Sequence, residues 1–179
     1  MRARVRLLDK SGRVVRDSGW GPWQLGTTNF GRIIQGMVSE AATGLNVSKT
    51  ITATDAVGRT MQVRGSSNIW LATSSAFTYT RMAWGSGTGT PARGDTQISG
   101  IVQSFNLASQ TNDEVNGTVT VTGSVVYIGV ATFVRRIGLY MVASDASNIA
   151  REVLLDHTAV TDTVITPGLT VAVTYQVSY

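Results

Sequence analysis

His157 is the only histidine of the chain, so any imidazole general base has to be this residue. Asp156 stands beside it, but no serine or second acid falls at a spacing that singles it out, and it reads as a loop histidine. Gly85-Ser86-Gly87-Thr88-Gly89-Thr90 has the composition of a phosphate cradle. A P-loop, however, needs Gly-Lys-Ser/Thr opening a helix, and a dinucleotide fingerprint needs a helix N-terminus. Pro91 follows instead, with no helical period behind it, so the expectation is a tight inter-strand loop whose glycines supply positive φ. The acids Asp55, Asp95, Asp113, Glu114, Asp145, Asp156 and Asp162 fall mostly in expected turns, where aspartate is favoured for turn chemistry. They form no calcium-loop string, and a carboxylate pair would have to be assembled by the fold. Arg93-Gly94-Asp95 spells the tripeptide of integrin ligands and reads as a turn, with Asp95 capping the backbone that follows. No catalytic residue, cofactor or metal is expected.

The stronger chemistry is at the N-terminus. Arg2, Arg4, Arg6, Lys10, Arg13 and Arg16 are six of the fifteen basic residues, opposed there only by Asp9. Such a face can meet phosphate or an acidic protein surface, or it can simply be solvated. Trp20-Gly21-Pro22-Trp23 follows in a glycine- and tryptophan-rich loop expected over residues 17–29. It can make an exposed contact or fold over the neighbouring helix. Arg2, Arg4, Arg6, Trp20 and Trp23 are therefore the candidate docking residues. The other aromatics, Trp70, Trp84, Tyr79, Tyr127, Tyr140 and Tyr175, suit a core or an interface.

The composition narrows the class. Hydrophobic residues make up 42% of the 179 residues, enough for one sizeable core. Charged residues are only 15%, which fits a surface covered by partners or rich in Ser, Thr and Asn. The net charge of +4 is local rather than striped with aromatics, so no specific nucleic-acid binding is expected. With no cysteine there is no disulfide framework and no thiolate site. No apolar run approaches the length of a membrane span, and no signal peptide is expected behind the basic start.

Periodicity supplies the elements. Residues 2–8 alternate, with Ala3, Val5 and Leu7 opposite Arg2, Arg4 and Arg6, as in a half-buried strand. Asp9-Lys10-Ser11-Gly12 turns the chain and Arg13–Arg16 returns. Phe30, Ile33, Ile34, Met37, Val38 and Ala41 share one face of an amphipathic helix expected over about 29–43, with Thr28 or Asn29 as its cap. After Leu45 the chain reads as strands. A hairpin is expected around Asp55–Gly58, a strand over 77–84 and another over 98–107. A polar turn at 109–116, a strand pair around Gly123, a turn at 144–148, and strands at 149–155 and 169–179 complete the series. The expected fold is mostly β, an antiparallel, jelly-roll-like β-sandwich with one short helix and an N-terminal hairpin. Residues 1–24 form the basic hairpin and Trp loop, and residues 25–179 the sandwich domain.

The order of these motifs carries a resemblance. The helix at Thr28–Ile34 is followed by the turn Thr54–Thr60 and by Gly85-Ser86-Gly87-Thr88-Gly89-Thr90-Pro91-Ala92 with Asp95-Thr96. Arg136-Ile137-Gly138-Leu139-Tyr140 and Pro167-Gly168-Leu169-Thr170-Val171-Ala172-Val173-Thr174-Tyr175 close the chain. From about residue 27 onward this resembles a group of tailed-bacteriophage virion proteins of the head surface, neck, tail or fibre base. Arg136 and Leu169 stand where that group usually has acids. The resemblance implies a non-enzymatic virion component, made in the bacterial cytoplasm and assembled as a homo-oligomer with other virion proteins of the neck, tail or capsid. The alternative is a receptor- or glycan-binding module of a tail fibre.

Overall fold

The computed structural model describes residues 1–23, 26–32, 50–64, 80–144 and 149–178. Eleven strands are present among them: β1 (Arg2–Leu8), β2 (Val14–Trp20), β3 (Thr50–Thr54), β4 (Thr60–Arg64), β5 (Thr80–Gly85), β6 (Ile101–Asn106), β7 (Ser109–Asp113), β8 (Thr118–Val126), β9 (Thr132–Ser144), β10 (Ala150–Ile165) and β11 (Thr170–Ser178). They form a five-stranded sheet in the order β2-β1-β11-β8-β7, a four-stranded sheet in the order β10-β9-β5-β6, and the β3-β4 hairpin. Every pairing is antiparallel.

β1 shows why the pattern folds this way. Its odd positions Ala3, Val5 and Leu7 are buried, while Arg2, Arg4 and Arg6 alternate with them on the other face. The strand lies directly against the C-terminal strand, Arg2 opposite Gln176 and Leu8 opposite Thr170. The N-terminal hairpin is thus joined to the main sheet. Both larger sheets feed one buried cluster: Val5, Leu7, Val121, Val173 and Tyr175 from the first, Met82, Trp84, Ile137, Leu139 and Val153 from the second. Burying a Leu- or Val-sized side chain contributes about 1.5–3 kcal/mol, so this cluster is the main source of stability. Inside it the Trp84 and Tyr127 rings meet edge to face, with centroids 5.2 Å apart at 75°.

Several expectations need correction. Residues 17–20 belong to β2 rather than to a loop, because Asp17 and Trp20 pair with Arg6 and Arg4. The polar stretch 109–113 is the edge strand β7, and the turn is confined to 114–117. Val119 to Val126 is one continuous strand, not a pair. Gly123 sits inside it because a Cβ there would lie 2.9 Å from the Asn106 carbonyl oxygen. β10 does not stop at Leu155 but continues to Ile165 opposite β9. Residues 28–32 are helical; the rest of the expected helix, Trp70, Tyr79 and the turn at 145–148 lie outside the described residues.

The helix start differs too. The Thr27 hydroxyl, not Thr28 or Asn29, accepts from the Phe30 N–H at 3.4 Å. Asn29 instead grips β3, donating to the Thr54 carbonyl at 2.8 Å and accepting from the Thr54 N–H at 2.9 Å.

Candidate functional site

The outer face of β1 gathers the candidate docking residues. Asp9 first closes the hairpin turn, its carboxylate accepting from the Ser11 hydroxyl at 2.6 Å and the Ser11 and Arg13 amides at 2.9 and 3.0 Å. These bonds, the Ser11 hydroxyl foremost, hold its pKa at about 2. Gly12 takes a φ of +79° at the tip of this turn, a conformation only glycine adopts cheaply.

Further along β2, Arg4 grips Asp17 with two guanidinium nitrogens, Nε at 2.9 Å from Oδ1 and Nη2 on Oδ2. That contact chiefly, with the Gly19 amide at 2.8 Å and the nearby Arg6 charge, lowers the Asp17 carboxyl to about 2. Ser18 accepts from the Val5 N–H at 2.9 Å, and the β1–β2 register shifts between Arg4 and Arg6.

The structure brings Arg2, Trp20 and Trp23 together. The Arg2 guanidinium carbon lies 4.7 Å from the Trp20 ring centre and 4.6 Å from that of Trp23. Both contacts are within cation–π range, and Arg2 Nε also donates to Gln176 Oε1 at 2.8 Å. The chain holds the second indole in place by returning over β1, with the Gly21 N–H bonded to the Ala3 carbonyl at 2.8 Å. Trp20 and Trp23 remain 38% and 48% exposed. Arg4 is neutralised by Asp17, whereas Arg6 has no carboxylate at ion-pair distance among the described residues. The sequence listed these side chains as neighbours of a basic face. Only the shifted β1–β2 register and the return of the chain over Ala3 at Gly21 convert them into a stacked guanidinium, and no sequence spacing announces it.

A concave region lies where the Gly/Thr loop passes β9 and β10. The Ser86 N–H bonds the Gly100 carbonyl at 2.9 Å and the Gly87 N–H bonds that of Ser99 at 3.3 Å. A Cβ on Gly85 would come within 2.6 Å of the Ser99 carbonyl oxygen. These glycines permit close approach of two backbone segments. A cleft of about 420 Å³ is lined by Thr88, Pro91, Asp95, Ile98, Arg136 and His157 among others.

His157 is not in a loop: it is a buried residue of β10. Its Nε2 faces two acceptors, the Ala92 carbonyl at 3.1 Å and Asp95 Oδ2 at 3.2 Å, which assigns the proton to Nε2. That nitrogen anchors the loop. Asp95 also accepts from the Ala92 N–H at 2.9 Å, closing the Arg93–Asp95 turn. The Arg93 carbonyl in turn accepts from the Thr28 N–H at 2.8 Å and hydroxyl at 3.0 Å. Arg136 is 7% exposed and its Nη2 reaches the Thr88 carbonyl at 3.4 Å.

Three further acids among the described residues form ion pairs. Asp55 pairs with Arg59 at 2.9 Å, Glu152 with Arg81 at 2.6 Å and Asp162 with Arg135 at 3.0 Å. Among the described residues no three His, Asp or Glu side chains gather as a metal site, and no helix is long and apolar enough to cross a membrane. No protein-family model, curated protein or solved structure matches this chain.

Proposed function

We propose that this chain is a non-catalytic structural component of a tailed-phage or prophage virion. In this reading the antiparallel sheets form a jelly-roll-like sandwich that assembles as a homo-oligomer at the neck, tail, fibre base or head surface. Its contacts are sheet edges and the N-terminal hairpin. The observation that carries the docking part is the Arg2 guanidinium stacked against two exposed indoles, since Trp and Arg are the side chains that most often dominate protein interfaces. The commitment of His157 Nε2 to two acceptors and the backbone packing of the Gly/Thr loop support a structural rather than a catalytic role.

The exposure of Trp20 and Trp23 also suits the second reading, a glycan-binding module. Arg2 covers a face of each ring, which leaves less aromatic surface for a sugar to stack on. The test is cryo-electron microscopy of particles that carry the chain, with a glycan array run on the isolated protein. Symmetric density at the head surface, neck, tail or fibre base is the expected result. Absence from particles, or a specific glycan bound through the two tryptophans, overturns the reading.

A further inference from the structure

The whole net charge of the chain resides in one hairpin. Six basic and two acidic residues occupy the first seventeen positions and leave +4, the value for the full chain; nine of each sign fill the rest. Within the hairpin, Asp9 and Asp17 are held by Arg13 and Arg4. Arg2, Arg6, Lys10 and Arg16 have no carboxylate at ion-pair distance among the described residues. Among the described residues outside the hairpin, most acids are already partnered: Asp55, Glu152, Asp162 and Asp95 face Arg or His side chains, and Asp156 is buried. Of the remaining described acids, Asp113 is bonded to Asn116, which leaves Glu114 as the one outlying exposed carboxylate. The described surface of a second copy therefore offers little unpaired negative charge to the hairpin.

Arg2 is the best-prepared of these cations. Two indoles and Gln176 fix its guanidinium, and its Nη atoms have no hydrogen-bond partner among the described residues. A planar fork held in place loses little entropy when it takes a carboxylate. Arg6 lies four residues on along the same strand face, about 13 Å away at the usual strand rise. Between them Arg4 is already neutralised by Asp17, so the strand presents two separated cations rather than a continuous basic stripe. A phosphate backbone gains affinity from many contacts in series, which this face does not supply. On β11 the facing residues are Gln176, Thr174 and Ala172, all uncharged.

We infer that the outer face of β1, with Arg2 clamped by Trp20 and Trp23 and Arg6 beyond it, binds an extended acidic polypeptide segment of a different protein. The inference rests on the docking reading of the hairpin and adds the chemistry of its occupant. The probe is fluorescently labelled poly-L-glutamate, titrated against the full chain and followed by anisotropy over a salt series. The expected result is saturable binding that weakens as salt rises, with affinity reduced about tenfold or more by Arg2→Gln with Arg6→Gln. Arg81→Gln, which removes one charge outside the hairpin, should leave it unchanged. Circular dichroism checks that the double variant is folded. If it is not, the wild-type indole emission serves instead, shifting on polyglutamate addition and losing most of that shift in Trp23→Phe.

No binding at low salt, or equal loss in Arg81→Gln, overturns the inference. So does duplex DNA or heparin binding as tightly as polyglutamate, or self-association that Arg6→Gln abolishes. Absence of the chain from particles overturns the virion reading alone, and loss of polyglutamate binding overturns this inference alone.

Discussion

Asp95 Oδ2 and His157 Nε2 stand 3.2 Å apart, and this contact ties the Gly/Thr loop to the middle of β10. The same oxygen accepts from the Ala92 N–H at 2.9 Å, so one carboxylate closes the Arg93–Asp95 turn and holds it to the sheet. Asp95→Ala removes both contacts and leaves the buried imidazole facing one acceptor fewer. The expected cost is about 0.5–1.5 kcal/mol, the usual net worth of a hydrogen bond, because the imidazole keeps the Ala92 carbonyl. Amide exchange over residues 88–97 should speed up, and that of the β8–β11 pair should not. Unchanged exchange in the loop would show that the carboxylate is not its anchor.

The glycines of that loop give a sharper test of why it is glycine-rich. A Cβ at Gly85 meets the Ser99 carbonyl oxygen at 2.6 Å, and one at Gly87 meets the Ser99 carbonyl carbon at 2.6 Å. Both neighbours are backbone and cannot swing away. Gly85→Ala should therefore cost about 1–3 kcal/mol or more through overpacking. Gly94→Ala, where a Cβ has open space, should fall within about 0.5 kcal/mol of the parent. Urea midpoints measure both. Titration calorimetry with ATP should give no binding heat; binding abolished by Gly87→Val would restore the phosphate-cradle reading.

Alkaline pH should unfold the chain through two buried phenols. Burial raises the Tyr140 pKa to about 12, against the Ile98 N–H bond to its oxygen, and raises Tyr175 well above 10. The unfolded chain releases these protons near the ordinary value while the folded chain keeps them. Stability is therefore full below about pH 10 and falls as pH climbs toward about 12. Tyr175 is fully covered and its hydroxyl has no hydrogen-bond partner among the described residues, so Tyr175→Phe should leave neutral-pH stability equal or higher and make the alkaline decline shallower. A urea midpoint flat across that window, or as steep in Tyr175→Phe as in the parent, would contradict the assignment.

What the sequence made legible follows its strongest periodicities. The alternation of residues 2–8, the Asp9–Gly12 turn and the Asp55–Gly58 turn all reappear as elements. β7 was hidden because Ser-Gln-Thr-Asn-Asp has no apolar side chain: it is an exposed edge whose identity comes from pairing with β8 alone. Gly123 read as a break because a glycine in a strand usually weakens it; here its missing side chain makes room for Asn106 and Phe105. His157 read as a loop residue because its strand is long and polar at that point, and only the register with Gly138 places it. The Arg2 stack is not legible because it joins three residues through a shifted strand register and a return over Ala3 that no pattern encodes.

The last prediction concerns acid. Asp9 and Asp17 close the two ends of the β1–β2 pairing, and each titrates at about 2. The Ser11 hydroxyl is the main cause at Asp9 and the Arg4 guanidinium at Asp17. Because the folded values lie below the unfolded value of 3.8, their contribution is present above that pH and disappears as pH falls through about 2. β2 is the outermost strand, largely exposed, with register shifts along its pairing. β1, in contrast, is also fastened to β11 over its whole length. Acid should therefore release β2 first and leave the rest of the sheet paired. Indole emission from Trp20 and Trp23 should change as they leave Arg2, while far-ultraviolet circular dichroism stays nearly constant. Asp17→Asn should remove much of the acid dependence of that emission change. Side-chain carboxyl shifts measured by NMR give the direct check: midpoints near 4 for Asp9 and Asp17 would mean that neither carboxylate holds the hairpin.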